Sequence, residues 1–206
     1  MDKLSKDLDY LHEYFSVQGV NLAIAEYIFI LESPHVEELK YKLPVAGSSG
    51  KMMTKHLFPE EYKKKPLPLG LFLDSESGEN EKVQKIGITN ICEIPMQKLA
   101  YPEDVQEKYQ QILSILERLR KNVKRLSDKE LIIKEILLTK FKIKIQSVQK
   151  DTLLIPCGKT AEYYLKQMIN EKDWNIIWEV PHPSYGSWSK KKYQTKIKEL
   201  KKLVNL

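Results

Sequence analysis

Tyr27-Ile28-Phe29-Ile30-Leu31-Glu32-Ser33-Pro34 is the stretch that decides the fold. Its first five residues are aromatic, β-branched or aliphatic, and none is charged. The run is too short for a helix. It reads as a strand buried on both faces, the kind found in parallel sheets. Glu32 stands at the strand end, and Pro34 sends the chain into a loop. Three more runs share this character: Ile86–Ile91, Thr152–Pro156 and Trp174–Trp178. Helical patterns lie between them. Leu4, Leu8, Leu11 and Phe15 predict an amphipathic helix over 3–15. Val105, Tyr109, Ile112, Leu116 and Leu119 form a second stripe, and 128–141 reads as another helix. Gly158 to Met168 follows the third strand as a helix, and Tyr193, Ile197, Leu200 and Val204 line a terminal one. Strands alternating with helices predict an α/β sandwich with a mostly parallel sheet. Residues 59–70 and 74–82, rich in Lys, Pro, Ser and Glu, read as exposed loops.

The chain has 206 residues, 42% hydrophobic and 30% charged. That suits one well-packed domain over 1–206 and excludes a disordered, collagen-like or disulfide-stapled chain. No apolar run approaches the roughly 20 residues that span a bilayer. The start, Met1-Asp2-Lys3-Leu4-Ser5, is too polar for a secretory signal, so no membrane partner and a cytoplasmic site of action are expected. The net charge of +6 fits a polyanionic partner such as nucleic acid; a generally lysine-rich composition would give the same number. Cys92 and Cys157 have no partner at metal-ligand spacing, which excludes zinc ribbons and Cys-ligated clusters. Both lie in apolar runs and read as buried free thiols.

Ligands of parallel sheets sit at the carboxyl ends of the strands. After the first strand come Glu32, Pro34 and His35, then Pro44-Val45-Ala46-Gly47-Ser48-Ser49-Gly50-Lys51. The glycines allow close backbone approach and open a helix N-terminus, which favours anions. The P-loop spacing is absent. A plainer reading is a strand stop, a solvated acid and a turn. Asn90 ends the second strand with a donor and an acceptor to place, as an edge of a pyrimidine would require; it could equally satisfy loop backbone. After the fourth strand comes Val180-Pro181-His182-Pro183-Ser184-Tyr185-Gly186-Ser187-Trp188. Two prolines stiffen the loop around His182, a residue able to donate to an oxyanion. Tyr185 and Trp188 are aromatics that can stack on bases or wedge between them. Lys190, Lys191 and Lys192 follow as phosphate contacts would. A rigid loop with a structural histidine is the alternative.

Taken together and in this order, these segments resemble the uracil-DNA glycosylase superfamily. Its first motif in several families runs Gly-Glu-Ala-Pro, then a Glu, then Pro-Phe-Val-Gly-x-x-Gly. Here Leu31-Glu32-Ser33-Pro34, Glu37 or Glu38, and Pro44-Val45-Ala46-Gly47-Ser48-Ser49-Gly50 are similar. Ile88-Thr89-Asn90 with Pro95 matches the middle element, Gly158-Lys159-Thr160-Ala161 a helix opening, and His182-Pro183-Ser184 the last motif. The resemblance spans 27–188. It implies a three-layer α/β/α fold around a four-stranded parallel sheet, with DNA as partner, a monomer, and no metal or redox cofactor. It implies a base flipped out of the stack. Glu32 would position water and favour a cationic sugar. His182 would stabilise the anionic base, and Asn90 would bond its edge. Pro34 and Ser184 would help line the pocket. Ser48, Ser49, Gly50, Lys51, Lys190 and Lys191 would hold the DNA, with Tyr185 or Trp188 filling the vacated space.

The departures bear on the base. Leu31 replaces the leading Gly, and Val45 replaces the Phe that stacks on the flipped base. Gly186 stands where many members carry a Leu wedge. Glu93 stands where relatives carry a neutral or basic residue. Val45 leaves room, and Glu93, if it faced the pocket, would accept from an exocyclic amine. Some members act against phages by removing hypermodified bases. A bulky 5-modified cytosine, such as a glucosylated hydroxymethylcytosine, is therefore the expected substrate. Plain uracil in base-excision repair and an inactive DNA-binding relative are the alternatives. A Rossmann-like nucleotide enzyme is disfavoured by the missing GxGxxG.

Overall fold

The computed structural model describes residues 2–76, 81–121 and 123–205. In chain order, α1 is Asp2–Phe15, β1 Tyr27–Leu31, α2 Val36–Tyr41, α3 Ser48–Leu57, α4 Pro59–Lys64, α5 Leu69–Ser75, α6 Glu81–Gln84 and β2 Ile86–Asn90. The second half holds α7 Glu103–Lys108, α8 Gln110–Arg120, α9 Asp128–Gln146, β3 Leu153–Pro156, α10 Lys159–Met168, β4 Asn175–Ile176 and α11 Gln194–Val204. The four strands form one parallel sheet in the order β2-β1-β3-β4.

β1 alternates its side chains between two cores. Phe29 and Leu31 pack with Met53, Leu57, Trp188 and Leu200 on the α3 and α11 side. Ile28 and Ile30 pack with Phe141, Ile145, Tyr164 and Leu165 on the α9 and α10 side. Burial of both faces explains why the strand carries no polar residue. A third cluster joins α1 to α8 through Leu4, Leu8, Leu11, Ile112, Leu116 and Leu119. Cys92 and Cys157 are free and buried. Among the described residues, no helix is long and apolar enough to cross a membrane.

Four expectations need correction. The 59–70 stretch is mostly helical, because Pro59 occupies the first position of α4, where its missing N–H costs nothing, and Leu69, Phe72 and Leu73 enter the core. Within 74–82, Asp74 and Ser75 close α5 and 81–82 open α6, while 77–80 lie outside the described residues. The 105–119 stripe is broken into two helices at Tyr109. The fourth strand keeps only Asn175 and Ile176; regular pairing stops there and returns only as the Val180–Cys157 bridge, just after Glu179 at φ 64°.

The loop after α2 is held by backbone contact. A Cβ on Gly50 would lie 1.7 Å from the Val45 carbonyl oxygen, and one on Gly70 would lie 2.0 Å from that of Pro44. Backbone atoms cannot yield as a side-chain tip can, so only glycine fits. Gly50→Ala is expected to cost about 3 kcal/mol, the upper range for overpacking, read as a lower melting temperature. Lys51→Ala, at an exposed position of the same helix, serves as the control and should change little. Equal melting temperatures for the two variants would contradict the close packing.

Candidate active site

A cleft of about 510 Å³ opens at the carboxyl ends of β1, β2 and β3 and is closed by the loop after β4. Parallel register puts these ends level: Leu31 pairs with Asn90, and Ile30 with Pro156. Glu32, Glu38, Val45, Asn90, His182, Ser184 and Tyr185 all line the cleft.

Glu32 leaves β1 and accepts a hydrogen bond through Oε1 from Nε of Arg120, the last residue of α8. The two side chains are 15% and 35% exposed. A partly desolvated pair of this kind fixes the carboxylate's direction more firmly than a surface pair would.

His182 is positioned by backbone geometry. Val180 bridges to Cys157, and the Gly158 N–H donates to the Val180 carbonyl at 2.8 Å. Gly158 has φ 93°, and a Cβ there would lie 2.8 Å from His182 Cβ. The Ser184 N–H donates to His182 Nδ1 at 3.2 Å, and Ser184 Oγ lies 2.8 Å from the same nitrogen. A backbone N–H can only donate, so Nδ1 carries the lone pair and the neutral ring bears its proton on Nε2. Burial lowers the His182 pKa, with Glu32 opposing and Arg120 adding to the shift. The ring is thus a neutral donor at physiological pH.

Asn90 is 2% exposed. Neither Oδ1 nor Nδ2 completes a hydrogen bond among the described residues, although the amide lies near enough to Glu38 to lower that carboxyl's pKa. Leaving a buried polar group unmatched costs about 1–3 kcal/mol. A ligand edge with one donor and one acceptor would recover it.

Glu38 ties the loop together. Its Oε1 accepts from the Val45 N–H at 2.7 Å and its Oε2 from the His35 N–H at 2.9 Å. Val45 itself sits at φ 48°, a strained conformation for a β-branched residue. Burial pushes the Glu38 carboxyl up to about 7, although both N–H donors and the Asn90 side chain pull it down. Ser48 and Ser49 in the first turn of α3, and Lys159 and Thr160 in the first turn of α10, also line the cleft. Two helix N-termini therefore lend it positive character.

Other expected site residues lie elsewhere. Trp188 is fully buried, packs against Phe29, and donates its indole N–H to the Pro181 carbonyl at 2.7 Å, so it is a core residue and no wedge. Tyr185, by contrast, stays at the cleft rim, 95% exposed at φ 52°, just before Gly186 at φ 63°. Glu93 turns away from the cleft and pairs with Lys144 at 2.7 Å, so it faces no base. Pro34 is buried outside the cleft lining, and Gly50 is buried beneath the loop rather than offered to a phosphate. Lys51, Lys190 and Lys191 are exposed but outside the lining. Arg120 was missed by sequence reasoning: a basic residue in a last helical turn is ordinary, and nothing local marks a partner 88 residues away.

A carboxylate, a neutral imidazole and an unmatched amide gathered at parallel strand ends define an α/β enzyme-type cleft for a small polar ring. The sequence model of the Uracil DNA glycosylase superfamily matches residues 21–205, and the chain belongs to that superfamily. It is thereby a DNA glycosylase in the general sense, acting on DNA. No curated protein sequence matches the chain significantly.

The raised pKa of Glu38 has a pH consequence. Its folded value lies above its unfolded one, so its contribution is fully present below the ordinary carboxylate range and is lost as pH rises through about 7. Glu38→Gln removes this titration. Its melting temperature should fall less than that of wild type between about pH 5 and 8, the window set by that shift. Parallel curves across that window would contradict the assignment.

Proposed function

We propose that the chain hydrolyses the N-glycosidic bond of a flipped-out, non-standard pyrimidine in DNA and leaves an abasic site. The observation that carries this reading is the buried, unmatched Asn90 amide in one cleft with Glu32 and His182. Duplex DNA hides the glycosidic carbon, so the base must leave the stack. Asn90 bonds the base edge. As the bond from C1′ to the ring nitrogen breaks, its electron pair moves onto the base and the sugar becomes oxocarbenium-like. The Nε2–H of His182 donates to the O2 of the departing anion. Glu32, oriented by Arg120, holds the water, favours the cationic sugar and takes the water's proton as oxygen bonds to C1′. The protonated Glu32 then returns that proton to solvent or to the base. This chemistry calls for no metal or redox cofactor. Tyr185 fills the vacated space. Ser48 and Ser49 on the α3 N-terminus, with Lys51, Lys190 and Lys191 beside the cleft, hold phosphates. The reading takes residues 1–206 as one domain, working as a monomer in the cytoplasm.

For the base, we favour a bulky 5-modified cytosine such as glucosylated hydroxymethylcytosine in phage DNA. Support comes from a cleft of about 510 Å³ and from Val45 in place of an aromatic residue. With Glu93 turned away, nothing acidic on that strand end selects an amine. Uracil is the second reading, because an amide donor and acceptor suit its carbonyl and ring N–H equally well.

The test uses oligonucleotides carrying uracil, a mismatch or glucosylated hydroxymethylcytosine, followed by alkali. Strand scission at the modified base is expected. Glu32→Ala and His182→Ala should each slow it roughly 10²-fold or more while remaining folded. Retarded but intact strands on every substrate would mean a binding protein instead. A folded His182→Ala variant with the wild-type rate would remove that residue from the mechanism.

Val45→Phe reads out the base. It should slow release of the glucosylated base relative to uracil about tenfold, the discrimination that one misfitted pocket group commonly gives. An unchanged ratio would place the specificity outside this loop.

A further inference from the structure

β2 is an edge strand of the sheet, with β1 on its inner side. Its outer edge is covered at Ile88, which exchanges hydrogen bonds with Val20 at 2.9 and 3.1 Å. Two residues further on, the carbonyl of Asn90 points to the same outer side, and there a lysine takes over. Lys144, in the last turn of α9, places Nζ 2.7 Å from Glu93 Oε1, 3.2 Å from Thr89 Oγ1 and 3.4 Å from the Asn90 carbonyl oxygen. An ammonium has three donors, and these contacts match their number. The Lys144 and Glu93 side chains are only 13% and 18% exposed. Glu93 is anchored in turn: Oε2 accepts from Gln18 Nε2 at 3.1 Å, and its backbone carbonyl accepts from the Val17 N–H at 2.8 Å. Burial pushes the Glu93 carboxyl up, but the Lys144 charge and the hydrogen bonds from Lys144 and Gln18 together outweigh it and the net shift is downward. His12 packs beside it, held down to about 4 mainly by burial, and is neutral.

This cluster lies behind the cleft and touches no substrate position. Yet the side chain it backs is one whose amide completes no hydrogen bond among the described residues. Inside the cleft the Asn90 amide meets the Glu38 carboxylate but completes no well-formed hydrogen bond, so its aim rests on its backbone. We infer that Lys144, clamped by Glu93, is a positioning residue: it fixes the end of β2 from outside and so pre-aims the Asn90 amide at the base. The inference rests on the proposed base-reading role of Asn90. It also gives Glu93 a role different from pocket recognition.

The test compares wild type with Asn90→Ala, Lys144→Met, Lys144→Arg and the double variant Lys144→Met/Glu93→Gln. The last keeps the fold testable, because it leaves no lone buried carboxylate. On the oligonucleotide that wild type cleaves, Lys144→Met/Glu93→Gln should lower single-turnover base release roughly tenfold, and Lys144→Arg should restore part of it. Binding to a duplex already containing an abasic site should not change, since no base edge is read there. Combining Lys144→Met/Glu93→Gln with Asn90→Ala should be no slower than Asn90→Ala alone, because the lysine acts through that residue. A general loosening of the fold would multiply the two losses instead, and that result overturns the inference. So does a wild-type rate in the folded Lys144→Met/Glu93→Gln protein. A readout free of catalysis is the NMR order parameter of the Asn90 backbone amide. It should fall from about 0.85, typical of rigid backbone, in Lys144→Met/Glu93→Gln, and an unchanged value overturns the inference. A wild-type protein that cleaves nothing would instead withdraw the glycosylase reading, with the order parameter still deciding whether Lys144 fixes the strand end.

Discussion

The ladder between β1 and its two neighbours is the constraint on which the site depends. Leu31 lies opposite Asn90 and Ile30 opposite Pro156. Because side chains alternate along a strand, a slip of one residue would turn Asn90 to the opposite face and bring Thr89 or Ile91 level with Leu31. Close packing opposes that slip: a Cβ in place of Gly87 would lie 2.9 Å from the Ala25 and Ile28 side chains, so neither Ile86 nor Ile88 fits there. Packing thus sets, through register, the level at which an acid and an amide meet. β4 is too short to do the same for His182. There the work passes to Gly158, whose φ of 93° and missing Cβ let the His182 loop lie against β3.

The site then spends some of the stability that the cores provide. Val45 and Tyr185 hold positive φ angles, and the buried Asn90 amide completes no hydrogen bond among the described residues. Each such feature costs on the order of 1–3 kcal/mol. Rigid backbone contacts at Gly50 and Gly70, the Glu38 hydrogen bonds and the Arg120–Glu32 pair keep the strained loop from relaxing. In a partly desolvated cleft these oriented charges act with less screening than at a surface.

The sequence carried the strands and their order legibly, since uncharged β-branched runs have few other uses. Glu32, Asn90 and His182 were legible for the same reason: each directly follows or ends such a run. What was illegible depended on direction in space. Trp188 on a Pro- and Gly-flanked loop looks exposed, but Phe29 and the Pro181 carbonyl draw it inward. Glu93 lies close to Asn90 in sequence, but the chain turns after β2 and gives it to Lys144. Lys144 itself fell past the expected end of its helix, where Lys140-Phe141-Lys142-Ile143-Lys144-Ile145 alternates like a strand. The helix continues because Phe141 and Ile145, four apart, share the Ile28 and Ile30 core. Arg120 reaches Glu32 across 88 residues, a pairing that only the packed fold creates.

The most direct test of the account is to identify which bond the cleft breaks. Duplex DNA containing glucosylated hydroxymethylcytosine or uracil is incubated with the protein, and the low-mass products are analysed by mass spectrometry. The account requires the free base, at one equivalent per abasic site, with the sugar-phosphate backbone intact before alkali. Release of a nucleoside or nucleotide, or of the glucose alone, would contradict it.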